Sequence, residues 1–256
     1  MLSKATIKYI KQIQKKKNRD KESVFFAEGR KIAIELLESD VKILHLFASD
    51  VFIQTNKVLI KKACNSIEII SPEELKSISL LSQPEDCFIV AEKKNTHFKP
   101  DDLHDQLVIF LDGIRDPGNL GTIIRVCDWF GIQYLFCSPD CVDVYNPKVI
   151  QASMGSFLRV MPIYMDLNAI VSNFKGQNLK IPMVYGAFMS GDSVFSIDNF
   201  HAGILVIGGE ANGIRPELFA MIDRKITIPR FSEKAESLNA AVAASVIISQ
   251  FKRINA

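Results

Sequence analysis

Five apolar runs separated by helical segments fill the chain from residue 107 onward, and this alternation is the strongest constraint on the fold. Runs that are apolar throughout are typical of strands in a parallel sheet that is covered by helices on both faces. The sequence therefore predicts an α/β fold with strands at LVIFLDGI (107–114), QYLFCS (133–138), MVYGAFM (183–189), ILVIGGE (204–210) and KITIP (225–229). Helices are predicted between and after them, over about 119–130, 147–158, 167–175, 216–223 and 238–253.

Shorter elements precede this region. Ile7, Ile10 and Ile13 recur at three-residue spacing among lysines, which predicts an amphipathic helix over 4–17. A second helix is predicted over about 29–38, and strands over 41–49, 66–70 and 87–93, with a helix between the first two strands. The polar, proline-containing stretch that follows has no periodicity. We therefore predict a small α/β domain over 1–94, a linker over 95–106 and a larger domain over 107–256.

Composition limits the class of protein. Hydrophobic residues make up 48% of the 256 residues and charged residues 23%, which is typical of a globular chain. No apolar run reaches the roughly 18 residues of a membrane span, and no apolar stretch follows the first lysines as in a secretory signal. The five cysteines form no C-x-x-C pair, and no histidine lies near Cys137 and Cys141. We expect reduced thiols, no metal site, no membrane contact and a cytoplasmic location.

The positive charge is concentrated at the start of the chain. Residues 1–31 contain ten Lys or Arg and three acidic residues, so this segment carries +7 while the whole chain carries only +2. Such asymmetry indicates a localised surface for an anionic polymer. A lysine-rich helix face in contact with solvent explains the charge equally well, so charge alone leaves both interpretations open.

Unusual residues lie at the carboxyl ends of three predicted strands, where ligands bind in open parallel sheets. In DPGNLGTIIRVCDWFG (116–131), Pro117 and Gly118 predict a tight turn, Asn119 is suited to cap the next helix and Gly131 to end it. Arg125 lies among apolar neighbours, and a buried guanidinium is costly unless an anion pairs with it. It could also reach solvent from the polar side of the helix.

Two further motifs follow. VIGGEANGIRPE (206–217) has glycines that allow close backbone approach, but it matches neither a dinucleotide fingerprint nor a phosphate-binding loop, and alone it is more typical of a tight turn. In ITIPRFSEKAESLNAAVAASVIISQF (226–251), Ser237 is expected to cap a helix that begins at Leu238. The Ser237–Asn239 turn is either a simple cap or a set of polar groups beside Glu210.

Taken in order, these motifs resemble the SpoU–TrmH family of RNA ribose 2′-O-methyltransferases. The matching residues are D-x-x-x-D-P-G-N-x-G-x-x-x-R, I-G-G-E-x-x-G, and I-P followed by E-S-L-N-x-x-V-A, within 107–256. FFAEGRKIAIELLE (25–38) resembles the substrate-binding domain of many members, a small RNA-binding α/β fold like that of certain ribosomal proteins. The resemblance implies a SPOUT domain with a parallel sheet and a deep trefoil knot, and a homodimer with RNA near the subunit boundary.

The resemblance also implies a methyl donor, S-adenosylmethionine, and roles for individual residues. Main-chain contacts to the donor are expected at Gly208, Ile228 and Leu238, with Gly209 and Gly213 shaping the loop. The family's remaining functional positions correspond to Asn119, Arg125, Glu210, Ser237 and Asn239. We expect phosphate contacts from the basic residues Lys15, Lys16, Lys17, Arg19, Arg30 and Lys31.

Arginine is a poor general base, since its pKa lies above about 12. We therefore expect Arg125 to hold a phosphate and stabilise the developing alkoxide, while Glu210 orients Asn119 or Arg125. The charged stretch RFSEKAE (230–236) and the run Cys127-Asp128-Trp129 depart from commoner family patterns and leave the RNA target open. Ribosomal RNA is favoured over transfer RNA. A non-catalytic RNA-binding protein is the alternative, and a nicotinamide-dependent enzyme is disfavoured because no dinucleotide fingerprint is present.

Overall fold

The computed structural model describes residues 1–94, 96–103, 105–176, 181–197, 202–232, 234 and 236–254. The chain divides into two compact units, Met1–Asn95 with Tyr145–Leu158, and Thr96–Val144 with Arg159–Ala256. Each unit contains its own β-sheet. Within the described residues, no helix combines the length and apolar character needed to cross a membrane.

The secondary-structure elements are named in chain order. The helices are α1 (Lys4–Ile13), α2 (Lys16–Glu22), α3 (Arg30–Glu38), α4 (Asp50–Thr55), α5 (Lys57–Ala63), α6 (Pro72–Ile78), α7 (Pro117–Trp129), α8 (Pro147–Ser153), α9 (Leu167–Gly176) and α10 (Ala240–Ile254). The strands are β1 (Val24–Glu28), β2 (Ile43–Ala48), β3 (Ile67–Ile69), β4 (Cys87–Glu92), β5 (Leu107–Asp112), β6 (Leu135–Cys137), β7 (Ile163–Tyr164), β8 (Met183–Ser193), β9 (Gly203–Gly208) and β10 (Arg224–Thr227). Three 3-10 turns cover Pro100–Leu103, Ser156–Leu158 and Pro216–Met221.

The first unit is built on a four-stranded sheet with the order β1-β4-β2-β3. β4 is antiparallel to β1 and β2, and β2 is parallel to β3. The predicted helix over 4–17 is two helices, because Lys15 is extended (φ −86°, ψ 130°) and separates α1 from α2. β1 was not predicted: all five of its residues are buried, so it shows no alternation of apolar and polar positions.

The segment Tyr145–Leu158 groups with the first unit, whereas the predicted domain division places it in the second. Phe25 of β1 packs against the rings of Tyr145 and Phe157, with centroid separations of 4.9 and 5.7 Å. The Tyr145 hydroxyl also accepts a hydrogen bond from the Lys94 N–H at 2.8 Å. A segment distant in sequence therefore joins the core of this unit, which a division by sequence order cannot represent.

The second unit is built on a six-stranded sheet with the order β10-β8-β9-β5-β6-β7. Every neighbouring pair in it is parallel, as the uninterrupted apolar runs predict. Its core includes Val108, Phe110, Phe136 and Val206, and also Leu103 from the predicted linker. Two other residues of that linker, Asn95 and His104, lie outside the described residues. Because all six strands point the same way, their carboxyl ends lie along one edge of the sheet.

Several predicted helices differ at their ends. α8 stops at Ser153 because Met154 and Gly155 both have positive φ, 52° and 93°, which is incompatible with a continuing right-handed helix. The predicted helix over 216–223 is a 3-10 turn. α10 begins at Ala240, two residues later than predicted. The two-residue strand β7 was not predicted, since it is too short to show a period.

Candidate active site

The turn between β5 and α7 begins the site. Asp116, and not Asn119 as predicted, is the N-cap of α7: its Oδ1 accepts a hydrogen bond from the Asn119 N–H at 2.8 Å. Pro117 occupies the first turn, where its missing N–H costs no hydrogen bond. Asn119 is buried within that turn and has no capping role, so its side chain is available for other contacts.

Asn119, Glu210 and Asn239 form one hydrogen-bonded network. Asn119 Nδ2 donates to Glu210 Oε1 at 2.6 Å, and Asn239 Nδ2 donates to the same oxygen at 2.9 Å. Asn239 Nδ2 also donates to Asn119 Oδ1 at 2.8 Å. The three residues come from α7, from the loop after β9 and from the residue before α10, so the network joins the three sequence motifs.

The orientation of both amide groups follows from their partners. An ionised carboxylate only accepts hydrogen bonds, so each amide must present its NH2 group to Glu210. Asn239 Oδ1 in turn accepts from the backbone N–H groups of Ala241 and Val242 at 3.0 and 3.3 Å. With these contacts made, Asn119 retains one N–H and one oxygen lone pair, which could donate to and accept from a hydroxyl group.

The same contacts make Asn239 the residue that caps α10. Its Oδ1 accepts hydrogen bonds from N–H groups of the first turn, which is the usual role of an N-cap side chain. The prediction that Ser237 caps this helix is wrong, because the helix begins two residues later than the sequence suggested. Ser237 and Leu238 are exposed and precede the cap in a segment without regular structure.

The loop after β9 passes close to itself. A Cβ atom added to Gly208 would lie 2.0 Å from the carbonyl carbon of Gly213, so only glycine fits at 208. Gly209 donates its N–H to the Asp112 carbonyl at 2.8 Å, and the Gly213 N–H bonds to the Gly209 carbonyl at 2.9 Å. Gly213 itself has φ +62°, a conformation that favours glycine. These contacts define the shape of the loop.

An ion pair fixes the far end of this loop. Asp112, buried at the end of β5, accepts hydrogen bonds from Arg215 N and Nε, both at 2.7 Å. Burial acts to lower the pKa of Arg215, but the hydrogen bond to Asp112 and the attraction to Asp112, Asp140 and Asp166 together outweigh it, and the pKa is raised. At the end of β6, a hydrogen bond from the Ser138 hydroxyl holds the pKa of Asp140 below its usual range, with burial opposing it.

Arg125 lies on α7, and the structure decides between the two interpretations that the sequence left open, because its side chain reaches solvent. Ile123 and Ile124 are buried, but Arg125 and Trp129 are both exposed, one helical turn apart. Arg125 makes no hydrogen bond or ion pair with the part of the chain that the structure describes. Its guanidinium is therefore available to an anion from outside the chain.

The remaining predicted donor-binding position is Ile228, directly after β10. It is half-buried and, like residues 229–232 and 236–239, lies outside helices and strands. Main-chain N–H and C=O groups in such a segment lack ladder partners and need other hydrogen-bonding groups. Within the described residues, no group of three or more His, Cys, Asp or Glu side chains could hold a metal ion.

The predicted RNA-binding residues all lie in the first unit, and the structure separates them. Lys15, Lys16, Lys17 and Lys31 are exposed. Arg30 is half-buried, with its Nε 2.8 Å from Asp86 and its guanidinium carbon 5.8 Å from the centroid of the Phe52 ring. Arg19 is only 3% exposed, and its Nη1 donates to the carbonyls of Ile13 and Gln14.

Arg19 was therefore wrongly included among the phosphate contacts. Its guanidinium is used within the fold, where it binds the carbonyl groups at the end of α1. Cationic side chains are favourable at this end of a helix.

Comparison with known proteins identifies the family. The SpoU rRNA Methylase family matches residues 106–249, and an MRM3-like substrate binding domain matches residues 4–88. The chain belongs to the SpoU rRNA methylase family. It is therefore an RNA methyltransferase.

Three similar proteins match this family member over nearly its whole length. A solved structure of an RNA methyltransferase of the TrmH family from Porphyromonas gingivalis is 32% identical, with a TM-score of 0.83 over 99% of both chains. The 23S rRNA (guanosine(2553)-2′-O)-methyltransferase of Bacillus subtilis is 26% identical over 94% of both chains. An AdoMet-bound rRNA methyltransferase from Sinorhizobium meliloti has the same fold, with 23% identity and a TM-score of 0.85 over 99% of this chain and 96% of that one.

Two residues of this SpoU family member were missed as part of the site, Asp112 and Arg215. Both lie inside quoted motifs, Asp112 as the first aspartate of D-x-x-x-D-P-G-N and Arg215 in the stretch GIRPE. An acidic residue that ends an otherwise apolar strand is a signal that could have indicated a buried pair. Nothing in the sequence indicates that its partner lies 103 positions away.

Proposed function

We propose that the chain transfers a methyl group from S-adenosylmethionine to a ribose 2′-hydroxyl in ribosomal RNA. The observation that carries this is the Asn119–Glu210–Asn239 network, which joins all three motifs beside the glycine-rich loop. The Bacillus subtilis relative is named for 2′-O-methylation of 23S rRNA and matches both halves of the chain. A tRNA (guanosine(18)-2′-O)-methyltransferase from Aquifex aeolicus matches only 57% of the chain, which favours ribosomal RNA.

The residues present fit this methyl donor. Its adenine ring needs hydrogen-bond donors and acceptors along one edge, and the irregular segments at Ile228 and Leu238 offer main-chain groups of both kinds. Glu210 supplies a carboxylate near the loop of Gly208, Gly209 and Gly213, which suits a cationic ligand. The donor supplies an activated methyl carbon on a sulfonium, so the protein needs to align the reacting atoms and not to activate that carbon.

The chain's own residues would then prepare the acceptor. Asn119 has one N–H and one lone pair left for a ribose hydroxyl, while Glu210 and Asn239 keep its amide fixed. Arg125, exposed and without a described partner, would bind the adjacent phosphate and stabilise the alkoxide as the hydroxyl loses its proton. The proton leaves to phosphate or water. Ser237, in the exposed segment before Asn239, would contact the ribose or the loop.

We further propose that the chain forms a homodimer through α7 and α10, which pack against each other. Trp129 is 85% exposed on α7 and Val242 is 49% exposed on α10, and large exposed apolar side chains on adjacent helices are typical of an interface. A partner subunit over this face would also cover the surroundings of Arg125.

The similarity to a TrmH-family structure supports the deep trefoil knot, and the five free, buried thiols support a cytoplasmic location.

Replacement of Arg125 tests the mechanism. Arg125→Ala is expected to lower methyl transfer to protein-free ribosomal RNA by about 10²–10³-fold, because it removes one stabilising donor of the transition state. Affinity for S-adenosylmethionine, measured by calorimetry, should hardly change. Arg125→Lys is the matched control: it keeps the charge but loses the planar fork, so it should restore only part of the rate. Loss of donor binding in Arg125→Ala would contradict the assignment, and donor binding without methylation by the wild type would contradict the enzyme.

A further inference from the structure

α1 presents three lysines on one narrow face. Lys4, Lys8 and Lys11 are all exposed, and at 3.6 residues per turn their side chains leave the helix within an arc of about 60°. Ile10 and Ile13, on the opposite side, are fully buried in the core of the first unit. We call Lys4, Lys8 and Lys11 the α1 lysine face.

Polar contacts fix the amino end of α1. Ser3 caps it, with the Thr6 N–H bonding to the Ser3 hydroxyl at 3.0 Å. The Leu2 N–H donates to Glu74, on α6. The helix therefore starts at a defined position against its neighbour.

The carboxyl end is fixed as well. Gln14 Nε2 donates to the Ile78 carbonyl at 2.9 Å, and Asn18 Nδ2 donates to the Gln12 carbonyl at 2.8 Å. The buried Arg19 binds the carbonyls of Ile13 and Gln14. α1 is thus held as a rigid element, so that binding to its outer face would cost little ordering of the backbone.

The charge around this face is unbalanced. Residues 1–21 contain eight basic residues and one acidic residue, Asp20. Asp20 pairs with Lys16 and Lys93, both at 2.6 Å, whereas the α1 lysine face makes no ion pair with the carboxylates that the structure describes. Glu73 and Glu74, on α6, bond to Ser71 at the start of their own helix. No described carboxylate therefore competes with an external anion for the α1 lysine face.

We propose that the α1 lysine face binds the phosphate backbone of the RNA substrate. This rests on the proposed function, since RNA is the polyanion that an RNA methyltransferase must hold. Arg19 and Arg30 were predicted to contact phosphate, but both have partners within the fold. The proposal assigns the phosphate contacts instead to three lysines that were not among the predicted ones. Lysines on a fixed helix neutralise phosphates without reading the base sequence, so this face contributes affinity and not target choice.

The test compares two triple variants of the full chain. Lys4→Gln, Lys8→Gln and Lys11→Gln together remove the α1 lysine face, and Lys57→Gln, Lys61→Gln and Lys62→Gln remove three exposed lysines of α5 in the same unit. Binding of a fluorescein-labelled, mixed-sequence RNA hairpin is measured over a range of salt concentrations. The α1 variant should lower the slope of log K against log salt by about 3, roughly 1 per lysine. The α5 variant should leave it within about 1 of the wild-type slope.

Further readouts separate failure of this inference from failure of the proposed function. Both variants should bind S-adenosylmethionine as the wild type does, and at saturating RNA the α1 variant should retain the wild-type kcat with a raised KM. The inference would be overturned if the salt slope of the α1 variant did not change, or if the slope of the α5 variant fell by as much as that of the α1 variant. Either result would leave the enzyme assignment intact. Binding of the α1 lysine face to anionic lipid vesicles with no change in RNA binding would overturn it as well. A wild-type chain that methylates no RNA would overturn the proposed function itself.

Discussion

Asn239 serves the fold and the site with one amide group. Its oxygen caps α10 through the N–H groups of Ala241 and Val242, and its nitrogen bonds to Glu210 and Asn119. A carboxylate at this position would face Glu210 with like charge, and an aliphatic side chain would leave the first turn of α10 uncapped. Asparagine suits both partners because it has an acceptor and a donor at opposite sides of one planar group.

Substitution at two neighbouring positions separates the observed cap from the predicted one. Asn239→Ala should lower the free energy of unfolding by about 1 kcal/mol, the usual cost of a lost N-cap, whereas Ser237→Ala should change it by less than about 0.5 kcal/mol. Asn239→Ser should restore the stability, since serine also caps, but not methyl transfer, because its hydroxyl cannot reproduce both donor contacts of the amide. Urea unfolding and a methylation assay measure the two effects. Equal destabilisation by the two alanine variants would contradict the cap assignment.

The sequence predicted which residues come together better than it predicted their individual contacts. The order of the motifs was sufficient to group Asn119, Glu210 and Asn239, which the structure joins by hydrogen bonds. Both helix caps were misplaced, because Asp116 and Asn119, like Ser237 and Asn239, are alternative capping residues a few positions apart. Which of two such residues caps a helix depends on where the helix starts. The start depends on packing as well as on local sequence preference, so the sequence alone does not give it.

Among the elements, the loop between β9 and β10 depends most on glycine. Gly208→Ala would place a methyl group 2.0 Å from the backbone of Gly213, which cannot move without displacing the loop, so we expect a loss of about 3 kcal/mol or more in stability. In Gly213→Ala, the added Cβ atom has no neighbouring atom within 4 Å. Only the positive φ of residue 213 then disfavours alanine, which lowers the stability by about 1–2 kcal/mol. Unfolding by urea and donor binding by calorimetry measure both variants.

These two glycine variants also test whether the loop binds the donor. Gly208→Ala should lose affinity for S-adenosylmethionine, and Gly213→Ala should retain most of it, since the loop can keep its course. A Gly208→Ala variant with wild-type affinity would remove this loop from the proposed donor site.

Strands of the second unit were predictable and those of the first were less so. The parallel runs are long and apolar, and the structure places all of them in one sheet. β1 was not predicted because strands in antiparallel pairs are usually recognised by alternating apolar and polar residues. All five residues of β1 are buried, so this alternation is absent. The short helix α6 was also missed, although Ser71 and Glu74 form a capping box that marks its start.

At the scale of the whole molecule, the compact units of the structure differ from the predicted domain boundaries at one segment. Tyr145–Leu158 joins the first unit through aromatic contacts with Phe25, although 49 residues of the second unit precede it in the chain, Thr96–Val144. Sequence reading assigns a segment to the domain that surrounds it in the chain. Aromatic pairing between distant segments leaves no periodic signal that would correct such an assignment.

The proposed homodimer can be tested with the single tryptophan of the chain. If Trp129 lies in the interface, its emission should shift to longer wavelength on dilution, as the ring passes from a buried to a solvated environment. Val242→Arg places a charge at an exposed position of α10 while it retains the fluorescent reporter. It should raise the dissociation constant at least about tenfold, as charged substitutions in buried interface cores do. Sedimentation velocity at matched concentrations provides an independent measure of mass.

Val58→Arg is the matched control, because Val58 is also exposed but lies on α5 in the first unit. Its dissociation constant should equal that of the wild type. A dimer seen by sedimentation whose tryptophan emission does not change on dilution would place the interface elsewhere. If instead Val242→Arg gives monomers that bind the methyl donor but transfer no methyl group, then Arg125 needs the partner subunit to be held in its working position. The exposed Arg125 of each subunit would then belong to a site that two subunits share.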